Sequence, residues 1–411
     1  MSREKQGNFH FFLQKSSKEP EIGFTTGTCA AAASVASMRM ILSQKPVPYV
    51  IFTTPKGIKI FIEIENQEFT ENSAKCSVKK FSGTDPDVTN GLDIFSKVEI
   101  LRLGQGSCKE ENEKTESSPL EIKISGGEGV GRVTLPGLDQ KPGEYAINSV
   151  PRKMILEGIE REVENSCSSG QKTSPGSSFS GEICVEISVP GGEEIAKQTF
   201  NPKLGITGGL SILGTSGIVE PMSEQALLDT IQVEINVRKS QCPEVLTIVP
   251  GNYGADFLKS EYGISVDTAV HCSNFVYNSL KMAENSGFKK ILFCGHIGKL
   301  IKIAAGVKNT HSKYGDLRME TILEIAEKCV PENQFIILKK ELSSCISTEQ
   351  AVNILDSLSS DGENSGEHKI RDRIMAEAAK RIKFQMTEWT NHKIEIEVII
   401  FTKEHGLLAK A

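Results

Sequence analysis

The chain has 411 residues, is 38% hydrophobic and 24% charged, and carries a formal net charge of −6. That length and apolar content call for two domains with real cores, and the negative balance excludes a protein that binds nucleic acid over its whole surface. No run approaches 18 consecutive apolar residues, the start Met1-Ser2-Arg3-Glu4-Lys5 is polar, and none of the ten cysteines forms a C-x-x-C pair, so a membrane span and a disulfide framework are excluded and a reducing, cytoplasmic setting is expected.

In chain order, a helix is predicted from about Cys29 to Leu42, opening on an alanine run. Strands follow at Tyr49–Thr53, Ile58–Glu65, Lys97–Leu103, Glu121–Ile124 and Glu182–Val189, several alternating apolar and polar residues as a sheet with one wet face requires. A helix after Pro151 uses proline at its first turn. Gly106–Pro119 is rich in Ser and Glu, and Glu164–Gly181 holds seven Ser in eighteen residues. Neither can bury enough to fold alone, so both read as mobile surface insertions. Ser357–Glu367 is a third polar break.

From Met222 the rhythm changes. Strand-like runs at Val245–Val249, Ile291–Cys294, Phe335–Leu338 and Ile394–Phe401 alternate with helical stretches near Asn274–Asn285, Lys299–Val307, Leu317–Lys328, Thr348–Leu358 and Glu367–Trp389. Such alternation predicts a parallel, doubly wound sheet. The fold class expected is therefore an α+β N-terminal domain over 1–220 and an α/β C-terminal domain over 221–411.

Several loops have the residues for ligand binding. Thr25-Thr26-Gly27-Thr28 precedes the alanine run, with Thr28 as its expected N-cap. A helix start with free N–H groups can hold a carboxylate or phosphate, and an ordinary capped helix explains the same pattern. Asn201–Gly217 carries five Gly in its last thirteen residues, which suits close backbone approach to a ligand or, equally, an irregular turn. Val249-Pro250-Gly251-Asn252-Tyr253-Gly254 and Cys294-Gly295-His296-Ile297-Gly298-Lys299 both follow strands, where ligands of open α/β sheets sit. The second lacks the spacing of a Walker A loop. His296 is the best-placed of the seven histidines, and a turn histidine bonded to backbone is the competing reading. Asp85 and Asp87 sit in an Asp-Pro turn that also serves a metal or an amide. Asn309 and His311 follow a helix. The pairs His271/Cys272 and Cys294/His296 lack metal-ligand spacing, so no protein metal site is expected.

Taken in order, these blocks resemble the cobalt-precorrin-5B C1-methyltransferase family of anaerobic cobalamin biosynthesis. The matching blocks are GFTTGTCAAAAS at Gly23–Ser34, DPDVT at Asp85–Thr89, GEGVGRVTLPGL at Gly127–Leu138 and GEYAINSVPRKMI at Gly143–Ile155. NPKLGITGGLSILGTSGIVEPMS at Asn201–Ser223, CSNFV at Cys272–Val276, GHIGKLIKIAAGVKNTHS at Gly295–Ser312 and RME at Arg318–Glu320 complete them. The chain departs from the family pattern at Thr84, Asn90, Leu135, Ser149, Glu220 and Ile297, where Leu135 and Glu220 replace basic residues.

The resemblance implies methyl transfer from S-adenosylmethionine to C-1 of a cobalt-bound corrin precursor, giving cobalt-precorrin-6A. It also implies a Rossmann-like C-terminal part, with cobalt travelling inside the substrate. Because the ring carries many carboxylates, Arg152, Lys153, Lys203, Lys299 and Arg318 become its expected anchors. Thr25, Thr26, Gly27, Thr28, Asp85, Asp87, Asn309 and His311 join them on the substrate side. Gly214, Thr215, Gly217, Gly251, Asn252 and Gly254 are the expected cofactor loops, and His296 the expected proton shuttle or substrate hydrogen-bond partner. The competing readings are an anionic-ligand enzyme such as a small-molecule kinase and a non-catalytic tetrapyrrole carrier. No nucleic-acid or membrane partner is expected, and homo-oligomerisation is left open.

Overall fold

The computed structural model describes residues 21–105, 120–168, 179–358 and 370–411. The expected insertion at Gly106–Pro119 lies outside these residues, as do most of those at Glu164–Gly181 and Ser357–Glu367. The chain divides into two compact units, Met1–Ser223 and Glu224–Ala411.

The first unit opens with β1 (Gly23–Phe24) and the long helix α1 (Thr26–Ser43). Then come β2 (Tyr49–Thr53), β3 (Lys59–Glu63), β4 (Glu65–Phe69), β5 (Ser73–Lys79), β6 (Asp93–Gln105), β7 (Leu120–Gly126) and β8 (Arg132–Val133). The unit closes with α2 (Ser149–Ser168), β9 (Phe179–Ser188), α3 (Gly192–Ala196), β10 (Ile206–Thr207) and β11 (Ile218–Val219). β2 and β3 form an antiparallel hairpin. The main sheet runs β4-β5-β6-β9-β7, antiparallel except for the β7–β9 pair. α1 packs against this sheet and α2 and is buried on nearly every side. Its Ala30–Ala33 run is fully buried, because small side chains let neighbouring backbones approach closely. Its buried hydroxyls are satisfied: Ser34 Oγ lies 2.8 Å from Ser96 Oγ, and Ser37 donates to the Ser96 carbonyl at 3.1 Å.

The second unit contains α4 (Glu224–Gln241), β12 (Val245–Val249), α5 (Asn252–Tyr262), β13 (Ala269–His271), α6 (Val276–Asn285), β14 (Lys290–His296) and α7 (Ile297–Ala304). α8 (Arg318–Cys329), α9 (Glu332–Leu342), α10 (Thr348–Ser357), α11 (Ile370–Trp389), β15 (Glu395–Thr402) and β16 (Gly406–Lys410) follow. Its sheet has the order β13-β12-β14-β15-β16, parallel except for the last pair. The faces are unequally covered. Leu246, Ile248, Phe293 and Val398 point into the large core shared with α4, α6, α7, α8 and α11. Val249, Cys294 and Phe401 belong to a smaller core with Ala255 and Leu258 of α5, whose Phe257 ring stacks on Phe401 at 4.3 Å. The expected strand at Phe335–Leu338 is instead the middle of α9. Leu338 and Leu342 are buried four residues apart, while Ile336 and Ile337 face solvent, which is helical and not strand periodicity. The three-residue strand β13 is too short to show a pattern in sequence.

Candidate functional site

Thr25–Thr28 is a sealed helix cap. Thr25, not Thr28, is the N-cap, and its hydroxyl accepts the Thr28 N–H at 3.2 Å. The Thr28 hydroxyl donates to the Gly217 carbonyl at 2.7 Å, and the Gly27 N–H to the Leu213 carbonyl at 2.9 Å. The Thr26 hydroxyl accepts the Leu213 N–H at 3.0 Å and donates to the Ser211 carbonyl at 3.1 Å. All three threonines are buried. At this helix start the Gly27 N–H is answered by the Leu213 carbonyl and the Thr28 N–H by the Thr25 hydroxyl, as in a capped helix. The same contacts explain the glycines. Gly214 has φ +137°, and a Cβ there would lie 2.2 Å from Thr25 Oγ1. Gly217 has φ +79°, and its Cβ would lie 3.0 Å from Thr28 Oγ1. Thr25 closes round Gly214, and Pro55, Thr54 and Thr28 close round Gly217; of the three residues expected to cradle a cofactor, Gly214, Thr215 and Gly217, only Thr215 is exposed.

Asp87 is equally committed to its own chain. Its Oδ2 accepts from Lys80 Nζ at 2.9 Å, and its Oδ1 from the Thr89 N–H and hydroxyl at 2.8 and 2.6 Å. Lys80 is only 2% exposed. Burial works to raise the Asp87 carboxyl, but the Lys80 ammonium and the Thr89 donors outweigh it and hold it below the usual carboxylate range. Asp85 stands in the adjoining turn, its N–H on the Ser82 carbonyl. Arg152 points at backbone, donating to the Ile147 and Ile124 carbonyls at 2.8 and 3.3 Å. Lys153 is exposed beside Glu157, and Lys203 sits in the 3-10 turn Asn201–Leu204. Of the departing positions, Glu220 pairs with Lys56 at 2.5 Å, Leu135 packs against Gly205, and Ile297 is buried in the core of the second unit. The Asn90 carboxamide oxygen accepts the Ser82 N–H at 2.9 Å.

In the second unit, β12 and β14 are parallel neighbours whose following helices leave the sheet at its carboxyl edge, where the strand order turns back to β13. Such a point opens a crevice for ligands. Gly251 lies at the end of β12 in extended backbone with nothing within 4 Å of a Cβ, and α5 begins there without a side-chain cap. Asn252 is exposed beside it. Gly254 differs, because a Cβ there would meet the Cys294 carbonyl at 2.8 Å, so this glycine lets α5 pack on β14.

His296 ends β14 with both ring nitrogens in use. Nδ1 accepts the Gly298 N–H at 3.1 Å, which fixes the proton on Nε2, and Nε2 donates to Glu349 Oε1 at 2.9 Å. This histidine caps α7 and ties it to α10. His296→Ala is expected to lose about 1 kcal/mol of stability by urea denaturation, and His296→Asn, which keeps a cap acceptor, to lose less. Glu349, Glu404 and His405 bring one potential metal-ligand atom each within 4.8 Å of one another. Both ring nitrogens of His405, however, already have partners: Nε2 lies 2.8 Å from Asn353 Oδ1 and Nδ1 3.0 Å from Asp356 Oδ2. Burial pushes the thiols of Cys272 and Cys294 up to about 12, so neither supplies a thiolate at neutral pH.

One cleft gathers three of the predicted residues. It has a volume of about 490 Å³ and is lined by Asn274, Lys299, Lys302, Thr310, His311 and Arg318 among others. The His311 Nδ1 accepts the Lys313 N–H at 3.1 Å, leaving Nε2–H as a donor. Asn274 fixes Thr310, accepting its N–H at 3.0 Å. Asn309 lies apart, in a neighbouring hollow of about 320 Å³ with Tyr314 and Lys308. Lys302 is the residue that sequence reasoning passed over. Its signal was a lysine three residues after Lys299, inside the apolar run Ile301–Ile303.

A mixed α/β protein with a cationic cleft and an open glycine turn after a central strand is built to hold small anionic molecules. Similarity narrows this class to one family. Residues 13–221 match the family described as CbiD and residues 309–411 match CbiD, C-terminal domain. A Ruminiclostridium cellulolyticum protein named cobalt-precorrin-5B C(1)-methyltransferase is 42% identical, with 95% of this chain and 91% of that protein covered. Relatives of the same name from Alkaliphilus metalliredigens and Clostridioides difficile are 39% and 34% identical, covering 97% and 95% of this chain and 94% of each relative. A solved cobalamin biosynthesis protein (cbiD) from Archaeoglobus fulgidus is 26% identical over 73% of this chain and 84% of that one, with a TM-score of 0.34. The chain belongs to the CbiD family.

Proposed function

We propose that this protein methylates C-1 of cobalt-precorrin-5B, yielding cobalt-precorrin-6A in anaerobic cobalamin biosynthesis, with S-adenosylmethionine as donor. The observation that carries the reading is the 42% identity, over 95% of this chain, to a relative bearing that enzyme's name. The boundary near Ser223 then separates an α+β domain from a Rossmann-like one, and the eight unpaired cysteines among the described residues suit a cytoplasmic setting. No described helix is long and apolar enough to cross a membrane.

The Gly251 turn fits the donor. Its backbone is open on one side, and the uncapped N–H groups at the start of α5 suit a carboxylate such as the donor's amino-acid end. Bound there, the donor supplies a methyl group already activated on a sulfonium, so the nucleophile is a ring carbon and no protein thiolate is needed. The chain's own work is to hold, orient and exclude water. Gly251 and Asn252 would seat the donor, while Lys299, His311 and Arg318 would face the ring's carboxylates. Gly251→Val keeps an allowed backbone and meets no neighbour, so the variant should fold normally yet bind S-adenosylmethionine at least about tenfold more weakly by calorimetry. Unchanged affinity would remove the cofactor from this turn.

A further inference from the structure

Lys302 is 6% exposed on the inner face of α7. Its ammonium has two neutral acceptors, the Gly315 carbonyl at 3.0 Å and the Thr310 carbonyl at 3.5 Å. Among the described residues no carboxylate reaches ion-pair distance of it. An ammonium has three N–H donors; the Asp316 carboxylate acts on this one from beyond ion-pair distance, which leaves a third donor for an anion that comes closer. Arg318 shows the opposite condition. Its Nε and Nη2 grip both oxygens of Asp316, two residues earlier, in the fork geometry used for carboxylates, with Nη2 at 2.8 Å from Oδ2. Asp316 itself is 65% exposed. The loop turns back to present it through Gly315 at φ +99° and Leu317 at φ +50°, a left-handed conformation that a leucine seldom adopts. Among the described residues Asp316 is the sole acidic one lining the cleft, against Lys299, Lys302 and Arg318.

We propose that this cleft is a two-carboxylate subsite for the corrin periphery: one ring carboxylate completes Lys302 beside Lys299, and a second displaces Asp316 from Arg318. Asp316 is then a built-in place-holder, released at little cost because water already reaches it. The inference rests on the methyltransferase reading for the nature of the ring. The donor's carboxylate is the other source of the same chemistry. It is disfavoured because the donor carries an ammonium and a sulfonium, and a cleft with three cations to one carboxylate repels both.

The test uses the full chain and its Asp316→Asn, Lys302→Gln and Arg318→Gln variants. Each is titrated with a cobalt corrinoid polycarboxylate, with its fully methyl-esterified form, and with S-adenosylhomocysteine. The free acid should bind the native chain at least about tenfold more tightly than the ester. Lys302→Gln and Arg318→Gln should each lose about tenfold for the acid and nothing further for the ester. Asp316→Asn should bind the acid about threefold more tightly, since its internal competitor is weakened. Asp316 is exposed and outside the core, so this variant decides the matter even if Lys302→Gln fails to fold. Equal or weaker acid binding by Asp316→Asn overturns the exchange. Losses confined to S-adenosylhomocysteine overturn the ring assignment in favour of the donor. A native chain that binds the acid as described but moves no methyl group defeats the methyltransferase reading and leaves the subsite standing.

Discussion

Gly214→Val is expected to cost the first unit on the order of 4 kcal/mol, seen as a large drop in the urea midpoint. Two causes add. The residue adopts φ +137°, which a β-branched side chain resists, and its Cβ would fall 2.2 Å from Thr25 Oγ1. Relief would require Thr25 to leave its place, and Thr25 caps α1. The buried face of that helix, with Ala30–Ala33, Met38 and Met40, belongs to the core of the first unit. Donor binding at the Gly251 turn is not expected to change in whatever fraction stays folded. A variant unfolding at the native midpoint would show that the Ser211–Gly217 segment does not seal the helix start.

Asp87→Ala is expected to cost about 3 kcal/mol, because it strands a buried ammonium. Lys80 would keep the Ser82 hydroxyl at 2.7 Å and lose its only carboxylate among the described ion pairs. The pH dependence follows from the direction of the Asp87 shift. Its folded carboxyl titrates below the ordinary value, so its stabilisation is complete above about pH 4, the unfolded value, and is lost as pH falls through the lower folded value. The gap in unfolding free energy between native chain and variant should therefore be constant at neutral pH and close in acid. A gap that widened in acid would reverse the assignment.

These two effects mark what the sequence made legible. Alternation and helical spacing located α1, β12, β14 and most helices, because each buries one face at its own period. Phe335–Leu338 misled because four apolar residues in a row look alike in strand and helix; only Leu342, buried one turn on, breaks the tie. The Thr25 and Gly214 loops were legible as unusual but not as partners, since they are nearly two hundred residues apart and their glycines serve each other. Asp87 read as a free carboxylate because nothing local reveals that Lys80 is buried beneath it. In the cleft, Lys299, His311 and Arg318 were visible as polar residues after a strand and a helix, whereas Lys302 was masked by the isoleucines around it.

Methyl transfer itself is the most direct test. The purified chain is incubated with S-adenosylmethionine labelled in its methyl group and with cobalt-precorrin-5B, and the ring is analysed by mass spectrometry and carbon NMR. The ring is expected to gain one labelled methyl group, located at C-1, with S-adenosylhomocysteine formed in equal amount. A ring that is bound and returned without the label would contradict this expectation and make the protein a carrier.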